Sequence, residues 1–231
     1  MKSCDDSVNG STDAAHASRG GSIPASSLFW HHGETETACA MVCKHHYSRR
    51  APSNIQHVTT AHLSGGLFGD KGEAVAAVIF SIPGTRWSVN VLELSRLVRV
   101  PSVKVPLSAM VSAAVRRIAK KNLTDLLVSF ADRTQGHEGY VYRACGWSWS
   151  GTRERRMDGV IVDGVFVPGR SANSRWGTQS PSKLADLGVI AEPHYDEGKH
   201  IYWKALTPKG EREAEVVGLE RKEWKVAVSN V

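Results

Sequence analysis

The chain has 231 residues, of which 41% are hydrophobic, and its formal net charge is +6 at pH 7. This length predicts one domain with or without an extension, and the hydrophobic fraction suffices for a packed core. No apolar run approaches the ~18 residues that a membrane-spanning helix needs, and the N-terminus lacks the apolar segment of a signal peptide, so we predict no membrane partner. The positive charge favours an anionic partner, and nucleic acid is the usual candidate for a basic domain.

The N-terminal part of the chain predicts an arm followed by a helix. Residues 1–26 are rich in Ser, Asp, Gly and Ala and poor in large apolar side chains, which predicts a flexible arm. Residues 34–47 predict a helix, because acidic residues come first, apolar residues share one face and basic residues come last. His46, Tyr47 and Ser48 then lie at the end of this helix and in the following loop, where they offer hydrogen-bond donors, acceptors and a stacking ring.

Histidines and cysteines of this helix have a second interpretation as metal ligands. The residues concerned are Cys39, Cys43, His45 and His46. Their spacing matches no common structural zinc signature, and a catalytic zinc needs three committed ligands, so we predict no metal site. The four cysteines of the chain also lack the spacing of a disulfide framework, which predicts reduced thiols.

Two apolar stretches follow and predict neighbouring strands of a central sheet. Residues 73–81 form a nearly unbroken apolar run, which is typical of a buried strand, and residues 90–100 predict a second strand. Strict alternation places four residues of the second strand on one face: Leu92, Leu94, Arg96 and Val98. An arginine among apolar neighbours is costly unless it is paired. We therefore expect Arg96 to pair with Asp132 or with a phosphate group.

The clearest helix covers residues 106–121, where apolar side chains recur at helical spacing and basic residues come last. Residues 126–130 then predict a buried strand that leads to Asp132, and residues 138–145 predict a helix that ends at Gly146. A carboxylate at the end of a strand, followed by the N–H groups of a helix, is a common way to build a site. An ordinary strand-to-helix connection with a solvated aspartate is the alternative interpretation.

The C-terminal third predicts shorter elements. They are a strand at 147–151, a hairpin at 159–168 with an Asp-Gly turn, a short helix at 180–187, a strand at 199–206 and a charged, partly helical tail from 207. The whole pattern predicts an α/β fold, of the α+β kind, in which a central mixed sheet is flanked by helices.

The order strand, strand, helix, strand, helix, strand resembles the acyltransferase core of the GNAT superfamily. Four segments carry a more specific resemblance: His46-Tyr47-Ser48, Leu94-Ser95-Arg96-Leu97, Ser129-Phe130-Ala131-Asp132 and Gly136-His137-Glu138-Gly139-Tyr140-Val141-Tyr142-Arg143-Ala144. Together they resemble the Mom family of phage DNA-modification proteins, over roughly Leu28 to Leu206. We therefore expect a flexible arm at 1–26, a GNAT-like catalytic domain at 27–206 and a charged extension at 207–231.

The resemblance implies an activity and a site. Mom proteins convert adenine in DNA to N6-(carbamoylmethyl)adenine, which protects phage DNA from host restriction enzymes. The implied partner is double-stranded DNA with a flipped adenine, and the implied location is the host bacterial cytoplasm. The residues implied to line the site are His46, Tyr47, Ser48, Arg96, Ser129, Asp132, His137, Gly139 and Tyr142. We add Trp147 as an aromatic contact for the base. The sequence leaves the oligomeric state open, with a homodimer as one alternative.

One segment departs from the GNAT pattern. In CoA-using members, a glycine-rich loop after the second of these strands binds the pyrophosphate through backbone N–H groups. The equivalent residues 99–106 contain no glycine and include two prolines, which lack an N–H. Acetyl-CoA is therefore the less favoured donor. We expect an activated glycine carried by glycyl-tRNA, which makes tRNA a second partner.

Acid–base chemistry suggests roles for these residues. Adenine N6 is a poor nucleophile, so a general base helps, and Asp132 or His46 suits that role. The candidate proton donors are Tyr142 and Tyr47, and the candidate oxyanion donors are Ser129 and Ser48. Two other functions stay open on the sequence alone. One is a CoA-dependent N-acetyltransferase, and the other is a DNA-binding module without catalytic activity.

Overall fold

The computed structural model of the protein describes residues 28–64, 71–84 and 86–224, so the predicted arm at 1–26 lies outside the described residues. The strands in this part of the chain are β1 (Leu28–His32), β2 (Ile55–Ser64), β3 (Lys71–Ser81), β4 (Val91–Arg99), β5 (Leu126–Asp132), β6 (Ser148–Arg153), β7 (Met157–Val162), β8 (Val165–Pro168), β9 (Glu192–Tyr195) and β10 (Lys199–Ala205). The helices are α1 (Thr35–His45), α2 (Leu107–Lys120), α3 (Tyr140–Ala144), α4 (Gly169–Trp176), α5 (Pro181–Asp186) and α6 (Pro208–Val216).

Seven strands form one sheet in the order β1-β2-β3-β4-β5-β10-β6. Strands β1 to β4 pair antiparallel with their neighbours, whereas β4 and β5 are parallel and are connected through α2. Parallel neighbours require such a crossover, because a hairpin reverses the chain direction. A separate antiparallel sheet has the order β8-β7-β9. The predicted fold class, a mixed sheet flanked by helices, is confirmed.

The chain forms two compact units, and strands β5 and β10 contribute residues to both. Of the described residues, unit 1 comprises those up to 128, together with 144–146 and 204–218. Unit 2 comprises 129–143, 147–203 and 219–224. Each unit has an apolar core of its own. The domain limits expected from the sequence stay a prediction.

The core of unit 1 lies between α1 and the sheet. Ala38, Met41 and Val42 of α1 pack against side chains of β2, β3 and β4, and each is at most 7% exposed. Burial of an aliphatic side chain of valine size or larger contributes roughly 1.5–3 kcal/mol relative to leaving it in water. The predicted first helix is therefore confirmed, with slightly narrower limits, and its buried face holds the loop after it against the sheet.

Strand β4 departs from strict alternation at Ser95. Ile79 of β3 pairs with Arg96, whereas the next residue of β3 pairs with Leu94, so Ser95 is an extra residue in the ladder. Its hydroxyl donates to the Ile79 carbonyl over 3.2 Å. A bulge reverses the alternation beyond it, so Arg96 shares a face with Val98, and Leu94 lies on the other face. The prediction that Leu94 and Arg96 share one face is wrong, because an apolar pattern does not reveal an inserted residue.

Strand β2 was not predicted, and its ten residues include buried polar side chains. His57, Thr59, Thr60 and His62 are each at most 6% exposed. Thr60 Oγ1 donates to Glu34 Oε2 over 2.7 Å, and His62 Nε2 lies 2.7 Å from the same oxygen. Polar groups are buried at little cost when they are hydrogen-bonded. The partners supplied by neighbouring elements thus allow a polar sequence to form an interior strand.

The small sheet of unit 2 contains the predicted hairpin. Asp163 and Gly164 connect β7 to β8 and have φ values of +51° and +75°. Two positive values are what a type I′ turn requires. The core beside this sheet contains Val160, Ala172 and Leu184, all 0% exposed. Helix α4, which contributes Ala172 to this core, and strand β9, which pairs with β7, were not predicted, because their short sequences show no apolar periodicity.

Candidate functional site

The residues expected to form the site divide into two groups, one in each unit. In unit 1, α1 ends at His45, and the His46 backbone N–H donates to the Val42 carbonyl over 3.0 Å. The Ser48 backbone N–H donates to His46 Nδ1 over 3.1 Å, and Ser48 Oγ lies 2.9 Å from the same nitrogen. Because a backbone N–H can only donate, Nδ1 is the acceptor, and the neutral ring carries its proton on Nε2.

Tyr47 and Arg96 belong to the same group. The Tyr47 ring lies 4.3 Å from the His46 ring and is 49% exposed. Arg96 Nε donates to the Arg50 carbonyl over 3.1 Å, so the strand bulge directs the guanidinium to the loop after α1. The predicted residues of unit 1 therefore lie around one loop, although they come from α1 and β4. Sequence spacing alone did not show this contact.

In unit 2, strand β5 ends at Asp132, which is 8% exposed and is therefore not a solvated side chain. Its Oδ1 accepts a hydrogen bond of 3.1 Å from the Thr134 backbone N–H and caps a short 3-10 helix. Its Oδ2 lies 3.1 Å from Lys199 Nζ. Lys199 was predicted to lie in a strand but was not among the predicted site residues. The expected pair between Asp132 and Arg96 would join the two units and stays a prediction.

Ser129 and Tyr142 form a buried pair. Ser129 is 0% exposed, and its hydroxyl donates to Tyr142 Oη over 2.8 Å. The Tyr142 ring is stacked on Tyr202 with centroids 5.0 Å apart, and its centroid lies 5.5 Å from that of Trp147. The Trp147 indole is buried, and its Nε1 has no hydrogen-bond partner within the described part of the chain. The pair fixes the position of Tyr142 Oη, and a phenol that accepts one hydrogen bond can donate another.

Gly139 allows the backbone to pass close to an aromatic ring. Its φ is +71°, and a Cβ at this position would overlap the Tyr202 ring. Tyr202 Oη donates to the Glu138 carbonyl over 2.9 Å, and burial raises the pKa of the Tyr202 phenol, which keeps the donated proton in place. His137 is exposed, and its backbone N–H donates to the Asp132 carbonyl over 3.1 Å. Contacts of Gly139 and His137 with a substrate stay predictions.

Cysteine and histidine side chains are the candidate metal ligands of the chain. Among residues 28–64, 71–84 and 86–224, no three His, Cys, Asp or Glu side chains are arranged to hold a metal ion. Cys39 and Cys145 are free, and burial raises the pKa of both thiols, which disfavours the thiolate that a metal ligand needs. For Cys4 and Cys43 the expectation of reduced thiols stays a prediction.

The chain matches the Mom protein family over residues 30–216. The protein belongs to this family. The matched range contains both groups of site residues, from His46 in unit 1 to Trp147 in unit 2. No curated protein matches the chain by sequence.

Several solved structures are similar to the chain at low identity. A GNAT-family chain from Desulfovibrio desulfuricans shares 9% identity over 78% of this chain and 99% of its own, with a TM-score of 0.39. An N-acetyltransferase from Staphylococcus aureus shares 7% over 78% and 97%, with a TM-score of 0.41. A GNAT-family chain from Chromobacterium violaceum shares 9% over 87% and 98%, with a TM-score of 0.44. At these identities and TM-scores, the structural similarity gives no information on activity.

Several backbone N–H groups of the segment between β4 and α2 are already used within the protein or are absent. The N–H groups of Val100, Val103 and Val105 donate to other backbone carbonyls, at 2.8 to 3.1 Å. The two prolines of the segment have no N–H to donate. A loop that binds the CoA pyrophosphate needs several N–H groups that point at the ligand. The segment therefore has fewer available N–H groups than a glycine-rich loop of the same length.

Proposed function

We propose that the protein is a phage DNA-modification enzyme that converts adenine in DNA to N6-(carbamoylmethyl)adenine and so protects phage DNA from host restriction. The observation that carries the proposal is the family match, which spans both groups of site residues. The structure supports it with a positioned phenol, that of Tyr142 beside Ser129, and with a largely buried carboxylate, that of Asp132 beside Lys199. Groups of these kinds move protons in transfer reactions.

The proposed reaction begins as an acyl transfer. Adenine N6 attacks the carbonyl carbon of a glycyl ester, an N6–C bond forms, the ester C–O bond breaks, and N6 loses a proton as the alcohol leaves. The product is N6-glycyladenine. Its free amine then attacks C6 through a five-membered ring, and the bond between C6 and the original N6 breaks. That nitrogen becomes the amide, which leaves –NH–CH2–CO–NH2 on C6 without an oxidant or a reductant.

The residues that the resemblance implies have roles in this scheme. Asp132 takes the proton from N6, and Tyr142, positioned by Ser129, supplies a proton to the adenine ring during the rearrangement. His46 donates from Nε2, because its Nδ1 accepts a backbone hydrogen bond. Arg96 binds an anionic group of the DNA or of the donor. The adenine must leave the base stack, since N6 and C6 are inaccessible to this chemistry inside a duplex.

Glycyl-tRNA is the donor in this proposal. The net charge of +6 suits binding to two nucleic acids, whose affinity depends strongly on phosphate contacts. An ester donor also needs no pyrophosphate cradle, which residues 99–106 do not provide. Within the described ranges, no helix is long and apolar enough to cross a membrane. We place the reaction in the host bacterial cytoplasm, where DNA and charged tRNA are both available.

Labelled glycine tests the proposed function and the rearrangement together. DNA from cells that express the protein in medium with ¹³C- and ¹⁵N-labelled glycine should contain the modified nucleoside, and its side chain should carry two labelled carbons and one labelled nitrogen beyond the label that unmodified adenine of the same DNA carries in its ring. The rearrangement puts the labelled nitrogen on C6 and leaves the amide nitrogen unlabelled, which fragmentation in a mass spectrometer can distinguish. Unmodified DNA in the presence of folded protein would refute the function. Label in the amide nitrogen would refute the rearrangement.

A second experiment identifies the donor. Purified protein and DNA are incubated with labelled glycyl-tRNA or with labelled acetyl-CoA, and the DNA nucleosides are analysed. We expect transfer from glycyl-tRNA alone. Transfer from acetyl-CoA alone would support a CoA-dependent N-acetyltransferase instead. Salt-sensitive DNA binding with no nucleoside change from either donor would support a DNA-binding module without catalytic activity.

A further inference from the structure

Unit 2 contains a stack of three flat side chains that the proposed reaction does not use. The guanidinium carbon of Arg143 lies 4.6 Å from the centroid of the Tyr140 ring and 4.1 Å from the centroid of the Trp224 ring. These three residues form the Tyr140 stack. Tyr140 is 73% exposed although it contacts Arg143. Most of its ring surface is therefore open to solvent.

The middle and the inner end of the Tyr140 stack are held in place. Arg143 Nη1 donates to the Glu138 carbonyl over 2.7 Å and to Tyr202 Oη over 3.0 Å. The Trp224 ring packs edge-on against His200, with centroids 4.8 Å apart. A flat surface that is rigid before binding loses little conformational entropy when a ligand stacks on it. The stack is thus preorganised at two of its three members, with the exposed ring at its outer end.

The fold itself gains little from an aromatic side chain at position 140. A ring that is mostly exposed contributes little apolar burial, and a cation–aromatic contact at an exposed site contributes only about 0.5–1 kcal/mol. Tyr140 nevertheless occupies the first position of α3, the helix that also carries Tyr142. The stack is therefore attached to the element that supplies the proposed proton donor.

We propose that the Tyr140 stack binds an unpaired base of the DNA substrate by stacking on the exposed face of the Tyr140 ring. Every base has a flat π-face, and proteins stack unpaired bases on aromatic rings and on guanidinium planes. The charge of Arg143 lies within the stack and attracts the adjacent phosphates. The inference rests on the proposed function, because extrusion of an adenine creates unpaired bases in the DNA.

Binding of two matched probes tests the inference. One probe is a single-stranded oligo(dA), and the other is an oligomer of the same length with abasic sugars, which keeps the phosphates and removes the bases. We expect the wild-type protein to bind oligo(dA) more tightly by about 5- to 150-fold for one stacked base. Tyr140→Ala should lose this part of the preference and keep only what the proposed adenine site contributes, and Tyr140→Phe should keep all of it, since phenylalanine retains the ring.

A matched control comes from the small sheet of unit 2. Tyr195 in β9 is 48% exposed, so Tyr195→Ala makes the same chemical change at an exposed tyrosine outside the stack. This variant should keep the wild-type preference for oligo(dA). The salt dependence of binding should be the same for Tyr140→Ala and for the wild-type protein, because no phosphate contact is removed. A full preference for oligo(dA) in Tyr140→Ala, or none in the wild-type protein, would overturn the inference.

The outcomes separate this inference from the proposed function. Modified adenine in DNA, with an unchanged preference in Tyr140→Ala, would remove the stacking role and leave the function intact. Loss of the preference in Tyr140→Ala, with no modified adenine from the wild-type protein, would refute the function and retain the stacking surface. Oligo(rA) serves as a third probe. Tighter Tyr140-dependent binding to oligo(rA) than to oligo(dA) would assign the stack to RNA and overturn the assignment to DNA.

Discussion

The buried hydroxyl pair is the residue-scale feature with the most direct consequence for catalysis. Tyr142→Phe removes Oη but keeps the ring that stacks on Tyr202. If Tyr142 supplies a proton, the variant should fold normally and lose about 10²- to 10⁴-fold in the rate of nucleoside modification. Mass spectrometry of DNA nucleosides measures the rate, and circular dichroism checks the fold. Wild-type activity in Tyr142→Phe would exclude Tyr142 as the proton donor.

Ser129→Ala separates positioning from proton donation at the same pair. It leaves Tyr142 Oη buried without its donor, which should cost about 1–3 kcal/mol in the free energy of unfolding. Tyr142 keeps its own proton, so activity should fall less than in Tyr142→Phe. Urea unfolding and the nucleoside assay measure the two effects. A larger loss of activity in Ser129→Ala than in Tyr142→Phe would indicate that Ser129 contacts the substrate itself.

Asp132 has a structural role and a proposed chemical role, and one substitution distinguishes them. Asp132→Asn retains an oxygen that can accept from the Thr134 N–H, so the cap persists, but it removes the basic carboxylate. We expect a folded protein whose modification rate is lower by about 10²- to 10⁴-fold. Asp158→Asn is the control, because Asp158 is an aspartate of the same unit that pairs with His194. Equal activity of the two variants would remove Asp132 from the mechanism.

The loop from β5 to α3 offers a test at the scale of an element. Gly136 and Gly139 have φ values of +68° and +71°, but a Cβ at Gly136 meets no atom within 4 Å, whereas one at Gly139 overlaps Tyr202. Gly136→Ala should therefore lower the free energy of unfolding by about 1–2 kcal/mol, because only the left-handed conformation is unfavourable for alanine there. Gly139→Ala should cost about 1–3 kcal/mol more, because the ring or the loop must move. Equal unfolding free energies for the two variants would show that the ring contact is not close.

Elements differ in how well the sequence predicts them, for reasons that individual residues make clear. Helix α2 was predicted because Met110, Val111, Ala114 and Ile118 recur at helical spacing and are buried on one face. Strand β2 was missed because two of its buried polar residues pair with Glu34, the residue before α1. The pattern of apolar and polar residues within a strand does not show which hydrogen-bond partners another element supplies.

At the scale of the whole molecule, the predictable part of the site was the part that the family motifs contain. Lys199 lies far along the chain from Asp132, and its contact depends on how β5 and β10 are placed. The bulge at Ser95 places Arg96 on the face opposite to Leu94, and the sequence pattern does not show this bulge. Residue types and spacing identified candidates for the chemistry, whereas their hydrogen-bond partners required the three-dimensional structure.

The stability of the whole molecule should depend on pH through a buried histidine of unit 1. His57 is 6% exposed, and its pKa is lowered to about 4, first by burial and then by the charges of His32, Lys121 and Arg117. The unfolded chain binds this proton near pH 6.5, and the folded chain binds it only near pH 4. Between these values the unfolded state holds more protons. The contribution of neutral His57 to the free energy of unfolding is therefore fully present above pH 6.5, and it is lost as the pH falls.

A comparison of urea midpoints at pH 7 and pH 5 tests this dependence. The lowered pKa of His57 predicts a loss of about 2 kcal/mol in the free energy of unfolding between these values. His57→Gln keeps a side chain that can hydrogen-bond to Thr59, which lies 3.2 Å from His57 Nε2, but cannot titrate. Its midpoint should therefore change less with pH than that of the wild-type protein. Because burial also lowers the pKa of His31, His32, His45 and His200, some dependence should persist in the variant. The same change in the variant as in the wild-type protein would show that His57 is not the group responsible.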